Sequence, residues 1–265
     1  MKLNLVPASR GALWVKLGAK TFFQQPLAMA GLFFMFMAAI TLVTVVPLVG
    51  AALALALLPA ATLGLMTATK EATKGNFPMP SILVSAFRAG KQRATSMLLL
   101  GALYALGFLL VMGFSALFDG GGFAKLYLFG GQITPELVGD SSFQTAFLAA
   151  MALYLPLSLL FWHAPALVHW HNIHPVKALF FSLVACLKNW RAFMVYGLVW
   201  GAVFGVGSMA ITVLFSLVGG QAMASAALIP TILLMGAMLF TSIYFTFTDC
   251  FAPDTDPTPP TGDTP

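Results

Sequence analysis

Charge is the property that this sequence has least of, and its scarcity excludes an ordinary soluble fold. Charged residues make up 8% of the 265 residues, whereas hydrophobic residues make up 60%. Soluble proteins contain about 25% charged residues, and a soluble chain of this length could not cover its surface with so few. The apolar residues instead form long blocks, and a helix needs about 20 such residues to cross a bilayer.

Catalytic motifs are missing as well. The sequence contains no Walker loop, no GxSxG motif, no CxxC pair and no paired carboxylates. The serines of Gly139–Phe143 have no histidine on the expected side of the membrane to activate them. Ion-coupled transporters usually have ionisable residues deep within the membrane. No charged residue lies deep in an apolar block of this sequence. We therefore expect no enzyme activity and no bound cofactor.

Cysteine is nearly absent too, because Cys186 and Cys250 are the only two in the chain. The topology derived below places both on the cytoplasmic side, where thiols stay reduced. We expect no disulfide bond and interpret both residues as small buried thiols.

Six apolar blocks predict an all-α, polytopic membrane protein. The predicted spans are residues 26–46, 49–69, 95–117, 145–162, 193–218 and 225–247. Residues 1–252 then form one transmembrane domain with an extracytoplasmic loop at 119–144. The acidic, proline-rich residues 253–265 are typical of a disordered tail, which would lie in the cytoplasm.

The basic residues predict the orientation of the chain. If the N-terminus is cytoplasmic and six spans alternate, twelve of the 13 lysines and arginines face the cytoplasm and only Lys125 faces outward. This distribution follows the positive-inside rule and predicts that both termini are cytoplasmic. The net charge of +5 therefore indicates membrane topology and not a nucleic-acid surface.

Three basic segments, Ser9–Phe23, Pro80–Ala94 and Pro175–Ala192, each precede an outward span. They are typical of interfacial amphipathic helices, whose cations contact anionic headgroups. Each returning span also contains a proline. Together these features predict a threefold hairpin repeat, although topology alone could produce the same pattern. The predicted lipid contacts are Lys16, Lys20, Arg88, Lys91, Arg93, Lys177, Lys188 and Arg191.

All four histidines lie between Trp162 and Phe181. On one continuous helix His163, His171 and His174 could approach one metal ion, so they are weak candidates for a metal site. However, no Asp, Glu or Cys is close in sequence, and two prolines interrupt the segment. We therefore predict interfacial histidines and no metal, with metal binding and pH sensing as alternatives.

Gly197, Gly201 and Gly205 recur every fourth residue in the fifth predicted span. Such a stripe lets another helix approach closely. The neighbouring helix could belong to the same chain, or it could belong to a protein partner or to a second copy in a homo-oligomer.

Two stretches, Val6–Phe34 and Phe161–Leu198, resemble a family of proteobacterial multi-pass inner-membrane proteins for which no activity is established. The second stretch is similar to the family pattern of an A-P-A-L segment, a Pro-x-x-A-L helix start, a serine, and Asn-Trp before a span. The resemblance implies six spans in a bacterial inner membrane. It supplies no catalytic residue, and the histidines belong to no motif of the family.

Two functions remain open from the sequence. The first is a non-enzymatic membrane component, such as a scaffold, an accessory subunit or an envelope protein, which acts through helix contacts and membrane lipids. The second is a channel or uncoupled transporter for a small or amphiphilic solute. Its path would be lined by the hydroxyl groups of Thr41, Thr44, Thr62, Thr67, Ser115, Ser158, Ser208, Thr212, Ser216, Thr241, Ser242 and Tyr244, which could equally bond their own helices.

Overall fold

The computed structural model describes residues 2–252, and most of them are helical. The predicted tail at 253–265 lies outside these residues. The elements are β1 Lys2–Leu3, α1 Arg10–Gln24, α2 Pro26–Thr44, α3 Gly50–Thr73, a 3-10 helix Pro80–Val84, α4 Ser85–Arg88, α5 Lys91–Asp119, α6 Gly122–Phe129, α7 Pro135–Gly139, α8 Ser141–Phe161, α9 Ala164–His171, α10 Pro175–Lys188, α11 Trp190–Cys250 and β2 Phe251–Ala252. Five helical stretches, built on α2, α3, α5, α8 and α11, are long and apolar enough to cross a membrane. The predicted all-α, polytopic fold is confirmed.

Helix α11 spans 61 residues but reverses direction at Gly220, where φ is 74° and ψ is −174°. Glycine adopts this conformation because it has no Cβ to clash. The residues before and after the reversal face each other, since the hydroxyls of Tyr196 and Ser242 lie 2.6 Å apart. Helix α11 is therefore an antiparallel hairpin of two arms, 190–219 and 221–250, and each arm contains one predicted span.

The two ends of the described chain meet. Strand β1 pairs antiparallel with β2, and Lys2 lies opposite Ala252. Neither strand is predicted by the sequence pattern, because each is only two residues long. A chain whose ends lie together must cross a bilayer an even number of times. The pairing favours the predicted six crossings, while their number and the cytoplasmic placement of the ends remain predictions. We call the side of the bundle that holds β1 and β2 the termini side, and the opposite side the far side.

The three predicted interfacial segments fold differently. Helices α1 and α10 lie nearly where they were predicted. The second segment differs from the prediction, because the chain forms only a short 3-10 helix and the single turn α4 before Gly90, where φ is 98°. Lys91 and Arg93 belong instead to the first turn of the long helix α5. This segment makes the predicted threefold repeat less regular.

Helix α1 packs along the end of α11 with little space between the backbones. A Cβ added at Gly18 would overlap Ser242, and one added at Gly11 would overlap the carbonyl oxygen of Ala192. Trp14, between these glycines, is fully buried. Small residues on both sides of a large one thus let α1 seat its indole in the core.

The predicted extracytoplasmic loop contains α6 and α7. Helix α6 covers the far side of α5 and α8 through Phe123, which is buried. The ring of Phe123 packs edge-on against Phe143 at 5.7 Å and Phe147 at 5.9 Å. The carboxylate of Asp119 accepts a hydrogen bond from the Gly121 amide at 2.9 Å and so holds the turn into α6.

Candidate functional site

The break between α8 and α9 places His163 in the core. Pro165 lies in the first turn of α9 and has no amide hydrogen to continue the helix from α8. The hydroxyl of Ser182 on α10 fills the gap, since it accepts from the His163 amide at 2.9 Å and donates to the Leu159 carbonyl at 2.8 Å. The His163 ring is fully buried, and its Nε2 lies 3.2 Å from the Thr246 hydroxyl. His163 therefore joins α9 to the second arm of α11.

The other two metal candidates lie apart from His163. His171 ends α9 and His174 precedes α10, and both are exposed. Asn172, in the left-handed conformation with φ 53°, turns the chain between them. Within residues 2–252 no group of three or more His, Cys, Asp or Glu side chains is close enough to hold a metal ion. The continuous helix that would have aligned the three histidines does not form.

Both cysteines are free and buried. Cys186 Sγ lies 3.9 Å from His163 Nδ1, a pairing that resembles a nucleophile and its base. Burial raises the pKa of the Cys186 thiol, so the thiolate that such chemistry needs is disfavoured. This geometry is that of packed core groups.

An ion pair that sequence analysis missed joins the two ends of the chain. Asp249 accepts from Arg10 through both carboxylate oxygens at 2.7 Å, and from Trp14 Nε1 at 2.6 Å. Arg10 and Trp14 are four residues apart, so they lie on the same face of α1. The signal that could have predicted the contact is the isolated aspartate at the end of the last apolar block.

Asn189, the residue between α10 and α11, makes a second set of hydrogen bonds that joins distant elements and that the sequence pattern does not predict. We call the contacts of Asp249 and those of Asn189 the two polar locks. Its Oδ1 accepts from the Val6 amide at 2.8 Å, and its Nδ2 donates to the Asn4 carbonyl at 3.0 Å. The same Nδ2 lies 3.1 Å from the Ala185 carbonyl and 3.5 Å from Cys250 Sγ. Asn189 is almost completely buried and links α10 to both ends of the chain.

The glycine stripe faces away from the rest of the bundle. At Gly197, Gly201 and Gly205 an added Cβ would meet no atom within 4 Å. Within residues 2–252, therefore, no helix packs closely on this stripe, and its contact with another molecule stays a prediction. The neighbouring large residues are also open, since Leu198 and Val206 are each 68% exposed.

The predicted lipid contacts are nearly all on the surface. Arg93 alone among the eight is half-buried, and the remaining seven are exposed. The exposed residues are Lys16 and Lys20 on α1, Arg88 on α4, Lys91 on α5, Lys177 and Lys188 on α10, and Arg191 on α11.

Eight of the predicted path-lining hydroxyls donate to a carbonyl three or four residues earlier in their own helix. The group consists of Thr41, Thr44, Thr62, Thr67, Ser115, Ser158, Thr241 and Ser242. Ser242 also accepts from Trp200 Nε1 at 3.2 Å and so joins the two arms of α11. A cavity of about 200 Å³ between α3, α5, α8 and α11 is bordered by Thr62, Ser158, Tyr104 and Tyr154.

Comparison with known proteins gives the class of this molecule. The sequence is 40% identical over 255 residues to a probable inner membrane protein of Burkholderia thailandensis, covering 95% of this chain and 94% of the relative. The chain belongs to that protein's family. No family model matches the sequence, and no solved structure matches it. The predicted resemblance to proteobacterial inner-membrane proteins is confirmed.

Family membership and the apolar helices together identify an integral, multi-pass inner-membrane protein. The similarity extends over 95% of this chain.

Proposed function

We propose that this inner-membrane protein is a non-catalytic component of the membrane, a scaffold or accessory subunit that binds a protein partner through the first arm of α11. The observation that carries the proposal is the open face of Gly197, Gly201 and Gly205, where an added Cβ would meet no atom of residues 2–252 within 4 Å. We call this face the glycine face.

Close packing between helices is what makes such a face useful in a bilayer. Lipid tails are as apolar as leucine, so helices associate through van der Waals contact and not through a hydrophobic driving force. Small residues raise that contact by letting backbones approach. Inside the chain Gly11 and Gly18 serve this purpose, because both touch α11. The glycine face has the same composition, and we propose that a helix of another molecule packs on it.

Anionic lipid would hold the cytoplasmic surface of the protein in place. Helix α10 exposes the apolar side chains of Val176, Phe180 and Leu187 beside the exposed ammonium groups of Lys177 and Lys188. This arrangement suits a helix that lies at the level of the headgroups. Each basic residue near an anionic surface contributes about 1 kcal/mol.

The non-catalytic part of the proposal is supported by where the reactive side chains lie. Cys186 and Cys250 are buried, and His163 is fully buried against Thr246. Asp249 is occupied by Arg10 and Trp14. These groups serve internal contacts, which leaves the surface for binding.

Purification in mild detergent tests the proposal. We expect the wild-type protein to elute in a complex with a stoichiometric partner, and Gly201→Leu to elute without it while keeping its helical content. Gly113→Leu is the matched control, because Gly113 is an equally open glycine on α5. Retention of the complex by Gly201→Leu, or a wild-type protein that elutes alone, would refute the proposal.

The channel or uncoupled transporter is the second candidate, and the cavity of about 200 Å³ is the observation that favours it. Thr62 and Ser158 border the cavity, although their hydroxyls donate to the carbonyls of Leu58 and Leu155. A cysteine placed at Ser158 tests access. Labelling by a membrane-impermeant thiol reagent would support a water-filled path, and protection would leave the scaffold as the better proposal.

A further inference from the structure

The basic residues of the described chain divide into two groups by burial. Ten of the 13 lysines and arginines are exposed, while Arg10, Lys70 and Arg93 are half-buried. A cation that loses part of its water needs an anion or several hydrogen-bond acceptors in exchange. Arg10 obtains both from Asp249, at 2.7 Å.

Lys70 and Arg93 have no such partner among residues 2–252. The ion pairs within these residues are Arg10–Asp249 and Lys74–Glu71. The Glu71 carboxylate follows Lys70 directly in sequence, yet it accepts from Lys74 Nζ at 2.7 Å and from Asn76 Nδ2 at 2.8 Å. Within residues 2–252 neither half-buried cation thus forms an ion pair, although Lys70 is close enough to Glu71 for electrostatic attraction.

Both cations approach helix α9, which packs against α3 and α5. Lys70 Nζ, in the last turn of α3, lies 4.9 Å from the centroid of the Trp170 ring. Arg93 is in the first turn of α5, and both Arg93 and Lys70 are close enough to act electrostatically on the ring of His169. Helices α3 and α5 therefore each bring one cation up to α9 on the termini side.

His169 adds an incomplete hydrogen bond to the same place. Its side chain is 9% exposed, and its Nδ1 is buried with no hydrogen-bond partner in residues 2–252. Buried polar atoms are nearly always satisfied, so an exception requires an explanation. A ligand group or a water molecule held by the ligand would supply the missing partner.

The start of α5 favours an anion as well. Its N-cap is Gly90, which has no side chain to accept from the first amides of a 29-residue helix. Free amides and the helix dipole attract negative charge, and phosphate in particular. An anion here would meet helix amides and the Arg93 guanidinium together.

We infer that Lys70, Arg93 and His169 form a pocket, between α3, α5 and α9, for the phosphate of an anionic phospholipid headgroup. This inference deepens the lipid-binding part of the proposed function and rests on it. Basic pockets between transmembrane helices suit such headgroups, and Arg can bind phosphate through two parallel hydrogen bonds. The bilayer supplies the phosphate at the level of the helix ends, where the pocket lies.

Native mass spectrometry with defined lipids tests the pocket. The protein is purified in detergent, and phosphatidylglycerol or phosphatidylcholine is added at matched amounts. We expect one phosphatidylglycerol to remain bound to the wild-type protein and phosphatidylcholine to dissociate. The double variant Lys70→Gln/Arg93→Gln should bind phosphatidylglycerol about tenfold more weakly, because two charge-assisted contacts are lost.

The control is Lys177→Gln/Lys188→Gln, which removes the same charge from exposed positions on α10. It should retain the bound lipid. Equal loss in both double variants would show general attraction to the surface and overturn the pocket. His169→Phe should also weaken retention, while a His169→Phe protein that binds as tightly as wild type would remove the histidine from the site.

Two further measurements separate the sources of phosphate and the two proposals. Inorganic phosphate at millimolar concentration should leave the bound phosphatidylglycerol in place, whereas displacement would assign the pocket to a soluble anion and overturn the lipid assignment. Gly201→Leu should keep its lipid even if it loses its partner. Loss of lipid with Gly201→Leu would mean that lipid binds at the subunit contact and not between α3, α5 and α9. Thermal unfolding of each variant checks that it is folded.

Discussion

The termini side and the distal half of the α11 hairpin are built from similar apolar residues but are packed very differently. On the termini side Trp14, Ala192 and Ser242 are fully buried, and polar locks at Asp249 and Asn189 join elements far apart in sequence. Between residues 201 and 236, by contrast, Ala224 is the only buried residue. Leu217 is 81% exposed, and Val218 is 74% exposed.

The difference shows that hydrophobicity alone does not determine packing in a membrane protein. An apolar side chain gains little by moving from lipid to protein, so the contacts that decide the fold are close backbone approach and satisfied polar groups. The termini side has both. In the distal half of α11 the hydroxyls of Ser225 and Thr231 donate only to carbonyls of their own helix. Large side chains such as Leu217 remain open to lipid or to a partner.

The largest test of this contrast is the removal of the buried indole. Trp14→Ala leaves a cavity beside Phe193 and Tyr196 and deprives Asp249 of a donor. We expect a loss of about 3–5 kcal/mol in the free energy of unfolding. Leu217→Ala, in the distal half of α11, should cost under about 0.5 kcal/mol because Leu217 is largely exposed. Denaturation in detergent, followed by circular dichroism, measures both, and equal effects would contradict the contrast.

Glycine substitutions sharpen the comparison, because the same change is made at a glycine that another helix covers and at a glycine that is open. Gly18→Leu forces a side chain into Ser242 and should destabilise the protein by about 1–3 kcal/mol or more. At Gly197 an added Cβ would meet no atom of residues 2–252 within 4 Å, so Gly197→Leu should leave the unfolding midpoint of the isolated protein unchanged. A destabilised Gly197→Leu monomer would mean that the stripe packs internally after all.

Loss of the Asn189 lock should have a smaller and more local effect. Asn189→Ala removes the partner of the part-buried Val6 amide and Asn4 carbonyl, and because water can reach both groups we expect a loss of about 1 kcal/mol in the free energy of unfolding. We expect faster amide hydrogen exchange in residues 2–8 and in β2, with α5 and α8 unchanged. Uniformly faster exchange would show that Asn189 supports the whole fold, and no change would show that the lock is redundant.

Thiol reactivity reports on the difference between buried and exposed positions without changing the stability of the protein, so it comes last. Burial raises the pKa of the Cys186 thiol, so little thiolate is present at neutral pH and maleimide should react slowly in the folded state. A cysteine placed at the exposed Lys188 should react quickly. Rapid reaction of Cys186 in native protein would place it at the surface, and denaturant should restore its reactivity if it is buried.

Much of the architecture could be predicted without the tertiary structure. The apolar blocks located α2, α3, α5, α8 and both arms of α11, because the hydrophobic requirement of a bilayer is local and depends on length and composition. Pro175 located the start of α10 for a similar reason, since its effect is confined to one turn. The fold of the second interfacial segment differs from the prediction because the positive φ of Gly90 ends the segment before α5. The surrounding apolar pattern does not show this break.

The contacts that distinguish this chain depend on residues far apart in sequence. The isolated Asp249 indicates that a cation pairs with it, but nothing nearby in sequence indicates that Arg10 and Trp14 are the residues that reach it. Likewise, nothing near Lys70 in sequence indicates that Arg93 and His169 lie close to it. The glycine stripe is visible in the sequence, but whether another helix of the chain covers it depends on how the hairpins are arranged.

Local composition was thus enough to determine which segments leave water and which end of each carries charge, because the cost of moving a side chain into hydrocarbon is a property of that residue. The packing of the helices, by contrast, determines which side chains form hydrogen bonds with each other, which faces stay open and which residues line the proposed pocket. The energies of these contacts depend on distance and burial, and both are set by the whole fold.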